Sequence, residues 1–361
     1  MKICFNIGTL SYSGAEKIMF YLIKEFEKKG DEVSVILLSS KKYFDDLKNV
    51  KQFPIYGEYC DEKNKIFRTL KCHKIIRRII KNNKFDLIIS FGVIFNVELA
   101  EACLFNKTKI ILCERNDPIH DPCSKLLRFR RMLSYLRGDA FVFQTKEIMN
   151  FFPKIIKKKS TIIPNFIEKE IKKNEIYKPI HNSFSTSARL DNRQKDQYTL
   201  INAFNIFLKS HPDYKLELYG DGPDRVVLES LVSKLDIQKN VFFKGRVSDP
   251  MKYIRFTKAF ILTSVYEGMP NSLIEAMCYG MPCISSDCSG GGAKALIDNK
   301  KNGLLFSVGD IEELSKLMTR IADDDNFAAS LGKNAYNINK TLNKDAIMCK
   351  WFDLISNIMS K

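Results

Sequence analysis

The 361-residue sequence has no uninterrupted apolar run that approaches the roughly 18 residues of a membrane-spanning helix. Its start, MKICFNIGTL, lacks the long apolar segment and the small-residue cleavage site of a secretory signal. This stretch fits a first β-strand better, and we expect a cytoplasmic protein.

The ten cysteines include no C-x-x-C pair, and Cys278, Cys283 and Cys288 are spaced five residues apart. A zinc site would need a fourth ligand and a tighter knuckle. Disulfides are rare in reducing compartments, so we expect free thiols. The sequence also lacks a D-x-D pair at the end of any predicted strand, and we expect neither a metal nor another cofactor.

The composition is that of a globular protein, with 45% apolar and 28% charged residues, and the length allows two domains. The net charge of +16 is unevenly distributed, because residues 1–165 carry 31 Lys and Arg against 18 Asp and Glu. This asymmetry predicts an anionic partner for the first half of the chain: nucleic acid, an anionic membrane or a polyanionic substrate.

Two segments of the first half, residues 65–84 and 124–137, mix apolar and basic residues. In one interpretation the apolar side chains pack on the protein's own sheet and the cations are merely solvated. We hypothesise instead that both segments dock on an anionic membrane. The apolar residues are Phe67, Leu70, Ile75, Ile76, Ile79, Ile80, Leu126, Leu127, Phe129, Met132, Leu133 and Leu136, and the arginines expected to contribute are Arg77, Arg78, Arg130 and Arg131.

Predicted strands alternate with amphipathic helices in both halves, which predicts an α/β fold with two doubly wound parallel sheets facing a cleft. In the first helix Ile18, Leu22 and Phe26 recur every four residues, and Gly30 ends the pattern. The expected domains are residues 1–165 and 181–345, with a linker at 166–180 and a C-terminal helix at 346–361 that returns to the first domain. The predicted strands are KICFNIG, DEVSVILL, FDLIISFG, TKIILCE, DAFVFQT and KSTIIPN, then SFSTSARL, KLELYGDG, VFFKGRV, AFILTSV, PCISSD and NGLLFSV.

Two glutamates, Glu267 and Glu275, stand eight residues apart around the turn GMPNS. Ser272 and Glu275 have the spacing of a capping box, in which each side chain satisfies a backbone N–H of the other residue. A capping box does not explain why a glutamate stands at position 267. Glu267 follows a predicted strand, and ligands of open α/β sheets bind at the carboxyl ends of the strands.

Three further loops follow predicted strands. Gly14 opens a helix whose free N–H groups suit a phosphate, although a tight turn alone would explain it. Arg189 and Lys195 suit a diphosphate if they converge, whereas in isolation they are typical of solvated surface charge. The glycines of YGDGPD and KGRV fit plain turn chemistry.

The stretch YEGMPNSLIEAMCYGMPCISSD, preceded by SARL and a lysine and followed by NGLLF, resembles the donor-binding half of glycosyltransferase family 4. SGAE is similar to the usual Gly-Gly-Ala-Glu, and CERNDP and VFQT resemble members that build surface polysaccharides such as capsule or O antigen. The resemblance extends over the whole chain. It implies the GT-B fold, with two Rossmann-like domains, and retaining transfer from a nucleotide-sugar.

The resemblance also implies roles for individual residues. Glu267 would lie beside the transferred sugar, while Arg189 and Lys195 would hold the diphosphate and stabilise the leaving group. Glu275 would bind the ribose of the nucleotide. The remaining positions assigned to the donor site are Gly14, Gly245, Arg246, Val247, Gly268, Met269, Pro270, Asn271, Ser272 and Leu273.

Three departures from the family pattern concern the acceptor side and the glycine-rich loops. Arg115 stands about where many members have histidine, so that Glu114 and Arg115 are the acceptor-side candidates. His120 aligns poorly and is expected to be a solvent-facing loop residue. Ser13 replaces one of two usual glycines, and Ala295 replaces a common glutamate.

We therefore expect a retaining, metal-independent enzyme that transfers a hexose or N-acetylhexosamine to a lipid-linked saccharide. The donor is expected to be a UDP-sugar rather than a GDP-sugar, and the place of action the inner face of the cytoplasmic membrane. A nucleotide-sugar epimerase of similar architecture and a basic nucleic-acid-binding protein are the alternatives. The intact E-x7-E argues against the first, and the lack of an aromatic-basic motif argues against the second.

Overall fold

The computed structural model divides the chain into two compact units. The N-terminal domain contains Met1–Phe166 and Ile347–Lys361, and the C-terminal domain contains Ile167–Ala346. Among the helices described, none has the length and apolar content needed to cross a membrane. The structure describes residues 1–9, 14–38, 47, 50–55, 65–167, 171–172 and 175–360.

The N-terminal domain is built on a parallel β-sheet. Its strands are β1 (Lys2–Ile7), β2 (Glu32–Leu37), β3 (Lys51–Pro54), β4 (Leu87–Phe91), β5 (Lys109–Cys113), β6 (Ala140–Phe143) and β7 (Ser160–Ile162). They lie in the order β3-β2-β1-β4-β5-β6-β7, which is the Rossmann order with one added strand. Strand β3 has no counterpart among the predicted strands, because it has only four residues and ends in a proline.

Helices cover this sheet, and the first of them buries its apolar face on it. The predicted face of the first helix is confirmed, since Ile18, Leu22 and Phe26 are all buried. The helix ends at Lys28, and Gly30 has a φ of +86°, in the left-handed region that favours glycine. The helices are α1 (Gly14–Lys28), α2 (Lys65–Asn83), α3 (Val93–Ala102), α4 (Lys125–Ser134), α5 (Lys146–Phe151) and α6 (Lys154–Lys157).

The C-terminal domain repeats this architecture. Its strands are β8 (Ser183–Ser187), β9 (Lys215–Tyr219), β10 (Val241–Gly245), β11 (Ala259–Leu262), β12 (Cys283–Ser286) and β13 (Leu304–Phe306). They form a parallel sheet in the order β10-β9-β8-β11-β12-β13, again the Rossmann order. Its helices are α7 (Asn192–Lys195), α8 (Gln197–Leu208), α9 (Arg225–Lys234), α10 (Met251–Ile254), α11 (Asn271–Cys278), α12 (Gly292–Leu296), α13 (Ile311–Asp323), α14 (Asp325–Ala335) and α15 (Ile338–Thr341). Two Rossmann-like domains confirm the predicted fold class.

The last helix, α16 (Lys344–Met359), packs on the N-terminal domain as predicted. Trp351 is 1% exposed and stacks on Phe91 with ring centroids 6.3 Å apart. Phe352 meets Phe26 edge-on at 5.4 Å. These two ring pairs anchor the helix, because large aromatic side chains dominate the energetics of such contacts.

The structure contradicts part of the docking hypothesis for the two basic segments, residues 65–84 and 124–137. On α2 the isoleucines at positions 75, 76, 79 and 80 are buried in the domain core, and on α4 Leu127 and Met132 pack against it. The hypothesis was wrong to count these residues as part of the surface that docks. Arg131 was also wrongly assigned to the surface, since its side chain is fully buried. Arg77 donates to the carbonyl oxygens of residues 101 and 102, and Arg130 is paired with Glu101 at 2.6 Å.

Candidate active site

The candidate site lies at the topological switch point of the C-terminal sheet. Strands β8 and β11 are neighbours there. The strands that follow them in sequence, β9 and β12, lie on opposite sides of this pair in the sheet. Lys195 ends the short helix that follows β8, and Glu267 lies in the loop that follows β11. Doubly wound folds bind their ligands in the crevice at this point, so both residues lie where a ligand is expected.

The structure brings Lys195 and Glu267 into direct contact. The Lys195 ammonium Nζ contacts Oε1 of Glu267, and both side chains are largely buried. The same oxygen accepts a hydrogen bond from Ser264 Oγ at 2.8 Å. A buried carboxylate with a cation and a hydroxyl donor on one oxygen is held in one orientation, as a group that must meet a substrate requires.

Further hydrogen bonds hold the two loops against each other. Thr263 Oγ1 donates to the carbonyl oxygen of Lys195 at 2.8 Å, and the N–H of Val265 donates to the carbonyl oxygen of Gln194 at 2.8 Å. The contact between Lys195 and Glu267 is therefore supported by the backbone on both sides.

The turn before α11 packs against a third loop through a glycine. A Cβ placed on Gly292, the first residue of α12, would lie 2.1 Å from the carbonyl oxygen of Gly268. Any larger residue would push this turn away from α12. The glycine-rich loop before α12 thus fixes the turn that carries several predicted donor-binding residues, a role the sequence analysis missed.

The predicted capping box is wrong. Helix α11 begins at Asn271 and its N-cap is Pro270, which places Ser272 at the second helical position. Glu275 is half-buried within this helix. Gly268, Met269, Pro270 and Leu273 are buried, while Asn271 and Ser272 are half-buried.

Other predicted donor-site residues are more exposed. The Arg189 side chain is 65% exposed, and its Nη1 lies 3.9 Å from Asp191 Oδ2, so it does not share the buried environment of Lys195. Gly245 has a φ of +69°, Arg246 is exposed and Val247 is half-buried. Gly14 is the first residue of α1 in the N-terminal domain.

The acceptor-side candidate Glu114 follows β5 in a polar cluster of the N-terminal domain. Tyr135 donates its hydroxyl to Glu114 Oε1 at 2.6 Å, and Asn96 Nδ2 donates to the Tyr135 oxygen at 2.9 Å. Arg131 Nη1 lies 3.7 Å from the same carboxylate oxygen. Burial outweighs these partners and raises the pKa of Glu114 to about 7.

The neighbouring candidate Arg115 is held by two contacts. Its guanidinium donates to Asn165 Oδ1 and lies 4.5 Å above the Phe91 ring. Burial lowers the pKa of Arg115 to about 10, which leaves it charged at neutral pH. His120, further along the loop, is 41% exposed and contacts the buried carboxylate of Asp117 through Nδ1.

Sequence reasoning missed several residues that build these sites. Ser264 and Thr263 lie within AFILTSV, where they read as the end of a strand. Arg131 and Tyr135 lie in a segment whose basic and apolar letters predicted a surface. What these side chains contact depends on how neighbouring loops pack together. No local pattern in the sequence encodes that packing.

Two family models together match residues 12–338 of the chain. Residues 12–171 match the model Glycosyltransferase Family 4, and residues 167–338 match the model Glycosyl transferases group 1. The chain belongs to glycosyltransferase family 4. Family membership favours glycosyl transfer over the epimerase and nucleic-acid alternatives.

Two proteins similar in sequence are themselves glycosyltransferases by name. An uncharacterized glycosyltransferase of Methanocaldococcus jannaschii is 32% identical over 62% of this chain and 61% of its own length. The GalNAc-alpha-(1->4)-GalNAc-alpha-(1->3)-diNAcBac-PP-undecaprenol alpha-1,4-N-acetyl-D-galactosaminyltransferase of Campylobacter jejuni is 29% identical over 99% of both chains.

Two solved structures share the fold. A lipopolysaccharide outer core galactosyltransferase matches with a TM-score of 0.80 and 21% identity, over 99% of each chain. HepE of Anabaena, in complex with UDP-glucose, matches with a TM-score of 0.83 and 18% identity, over 99% of this chain and 100% of that one.

Proposed function

We propose that this glycosyltransferase moves a hexose or N-acetylhexosamine from a UDP-sugar to a lipid-linked saccharide, with retention at the anomeric carbon and without a metal. The observation that carries the proposal is the contact of Lys195 with Glu267 at the switch point of the C-terminal sheet. It provides a fixed carboxylate and a fixed cation next to the N-terminus of α11, where an anionic donor is favoured.

In this proposal Lys195 and Arg189 bind the diphosphate and stabilise the charge that grows on it as the glycosidic bond breaks. Glu267 accepts hydrogen bonds from the sugar hydroxyls and steadies positive charge at the anomeric carbon. The backbone N–H groups of residues 268–273 complete the pocket for the sugar and the phosphates, and Glu275 binds the ribose hydroxyls.

The uridine nucleotide is proposed by analogy with HepE of Anabaena, which has the same fold and whose structure contains UDP-glucose. The lipid-linked acceptor is supported by the Campylobacter relative, whose name specifies a saccharide on diphosphoundecaprenol. Such acceptors reside at a membrane, and we place the reaction at the inner surface of the cytoplasmic membrane.

Retention follows in this proposal from departure and attack on the same face of the sugar. Glu267 already contacts Lys195 and Ser264, an arrangement that suits a stabilising group better than a nucleophile. The leaving diphosphate then takes the proton of the acceptor hydroxyl. Lys195 and Arg189 supply the positive charge that a metal ion provides in other transferases.

The test is to incubate the protein with labelled UDP-, GDP- and ADP-sugars and an extract of lipid-linked saccharides, with and without EDTA. We expect label in the lipid fraction from a UDP-sugar, unchanged by EDTA, and the product's anomeric coupling constant to match the donor's. Transfer from another nucleotide only, inversion, or loss of activity in EDTA would each overturn the corresponding part of the proposal. An epimerised nucleotide-sugar without transfer would overturn all of it.

A further inference from the structure

One face of helix α4 presents apolar side chains to solvent. Leu126, Phe129, Leu133 and, one turn beyond the helix, Leu136 are spaced by three or four residues and therefore share one face. These four side chains are between 54% and 68% exposed. An ordinary surface helix has the opposite arrangement, with its apolar face buried.

The side of the same helix that faces the protein carries two buried polar residues beside Leu127 and Met132, which pack against the domain core. Arg131 is fully buried there and donates to the carbonyl oxygens of Pro118 and Asp121, each at 3.0 Å. Ser134 is also buried and donates to Glu101 Oε1 at 2.9 Å. These contacts fix the rotation of the helix, so the outward direction of its apolar face is set by buried hydrogen bonds.

Neighbouring helices extend the apolar surface. Leu70 of α2, Leu104 after α3 and Leu133 of α4 line one groove of about 480 Å³, so the three helices form a continuous surface. Phe105, beside Leu104, is 96% exposed. We call this surface the docking face, and its exposed apolar residues are Phe67, Leu70, Leu104, Phe105, Leu126, Phe129, Leu133 and Leu136.

Exposed cations stand on the same three elements. On α2, Lys71, Lys74 and Arg78 follow Phe67 and Leu70 on the outward side of the helix. Among the side chains that the structure describes, the other exposed cations of these helices are Arg77, Lys81 and Lys125, and the exposed Lys107 follows α3. Apolar side chains flanked by lysine and arginine are typical of helices that lie in the interface of an anionic bilayer.

We propose that the docking face inserts into an anionic lipid bilayer, with the leucines and phenylalanines among the acyl chains and the cations at the headgroups. This inference names the membrane partner of the proposed function and rests on it. A second copy of this chain fits the face less well, because a symmetric contact would bring the same cations together. The cations complement an anionic surface, and bilayer insertion removes the apolar side chains from water.

The first test measures co-sedimentation with vesicles of phosphatidylcholine alone and of phosphatidylcholine with 30% phosphatidylglycerol. The wild type is expected to bind the anionic vesicles, and binding should fall steeply as salt rises, because exposed charges are screened beyond about 8 Å at physiological ionic strength. Equal binding to both vesicles, or none to either, would overturn the proposal.

Two variants separate the apolar and electrostatic contributions. Phe129→Ser with Leu133→Ser should weaken binding to the anionic vesicles by more than about tenfold, because each buried side chain of this size contributes at least that factor. Lys71→Gln with Lys74→Gln and Arg78→Gln should weaken it on the order of a hundredfold at low salt.

Two matched control variants lie in the C-terminal domain, and all of their substitutions are at exposed positions. The apolar control is Val226→Ser with Val227→Ser, and the charge control is Lys209→Gln with Lys234→Gln and Lys239→Gln. They should bind like the wild type.

The result is independent of whether the transfer reaction is assigned correctly, because vesicle binding requires neither donor nor acceptor. Docking-face variants should keep the wild-type melting temperature and the same stabilisation by UDP. If they self-associate less than the wild type but bind vesicles equally, the occupant is a second copy and the proposal is overturned. If the wild type binds vesicles as expected but no sugar is transferred, the docking inference stands and the proposed function fails.

Discussion

Lys195 and Glu267, which are 72 residues apart in the sequence, form an ion pair at the carboxyl edge of the C-terminal sheet. The pair gives Lys195 two functions in the proposed reaction. It neutralises a buried carboxylate before the donor binds, and it is poised to stabilise the leaving diphosphate. Removing the lysine should therefore lower the reaction rate and leave the buried Glu267 carboxylate without its cationic partner.

Lys195→Ala should lower kcat more than it raises KM for the donor, because the lysine stabilises charge that grows in the transition state. The loss in kcat should be about 10²–10³-fold, as for the removal of other preorganised donors. Steady-state kinetics with a saturating acceptor measure it. Lys209→Ala, at an exposed position of the same domain, is the control. A change confined to KM would mean that Lys195 binds only the ground state.

Glu275→Gln should fold normally and lose most of its affinity for the nucleotide, since the amide has one uncharged acceptor oxygen where the carboxylate has two charged ones. The measurement is the rise in melting temperature with UDP, which reports binding to the native state. Glu312→Gln, at an exposed glutamate of the same domain, is the control and should be stabilised by UDP like the wild type. Because Pro270 is the N-cap, Ser272→Ala should not cost the ~1 kcal/mol of a lost cap. Wild-type stabilisation of Glu275→Gln by UDP would contradict the assigned role.

The sequence pattern predicted both sheets well, because buried parallel strands are short apolar runs and the helices between them are amphipathic. Strand β3 was not predicted, because it has only four residues, is partly buried and ends in Pro54. It therefore shows neither an apolar run nor an amphipathic pattern. The capping box failed for a local reason: Ser272 and Glu275 have the right spacing, but the helix begins one residue before Ser272.

The sequence alone did not predict which loops, far apart along the chain, contact each other in the fold. The resemblance to a family placed Lys195 and Glu267 in one site, but not their contact with each other or with Ser264. The basic segments show the same limit. The sequence of α4 indicated an amphipathic surface helix, but only the packing shows that Arg131 is buried while Leu126 and Leu133 are exposed.

Glu114 should make stability depend on pH between its unfolded and folded pKa values. Burial raises its pKa from 4.5 to about 7, so the folded state binds a proton that the unfolded state has released in this window. This contribution is fully present below the unfolded pKa and is lost as pH rises through the folded pKa. Glu114→Gln should flatten the fall in unfolding free energy between pH 4.5 and 7. Urea titrations across this range measure it, with Glu147→Gln, an exposed glutamate of the same domain, expected to follow the wild type.

Arg131 should be a major contributor to the stability of the N-terminal domain and of the loop that carries the acceptor-side candidates. Arg131→Met keeps a long side chain but removes the donors to the carbonyl oxygens of Pro118 and Asp121 and the cation near Glu114. We expect the unfolding free energy to fall by roughly 3–5 kcal/mol, as when one partner of a buried charge pair is removed.

Arg78→Gln, on the exposed side of α2, should change the unfolding free energy by less than about 0.5 kcal/mol, since isolated surface substitutions rarely do more. Urea unfolding of both variants measures the difference. At temperatures where Arg131→Met remains folded, its KM for the acceptor should rise while the stabilisation by UDP stays at the wild-type value, because the donor site lies in the other domain. Equal midpoints for the two variants would show that Arg131 behaves as a surface residue and would contradict the loop-anchoring role assigned to it.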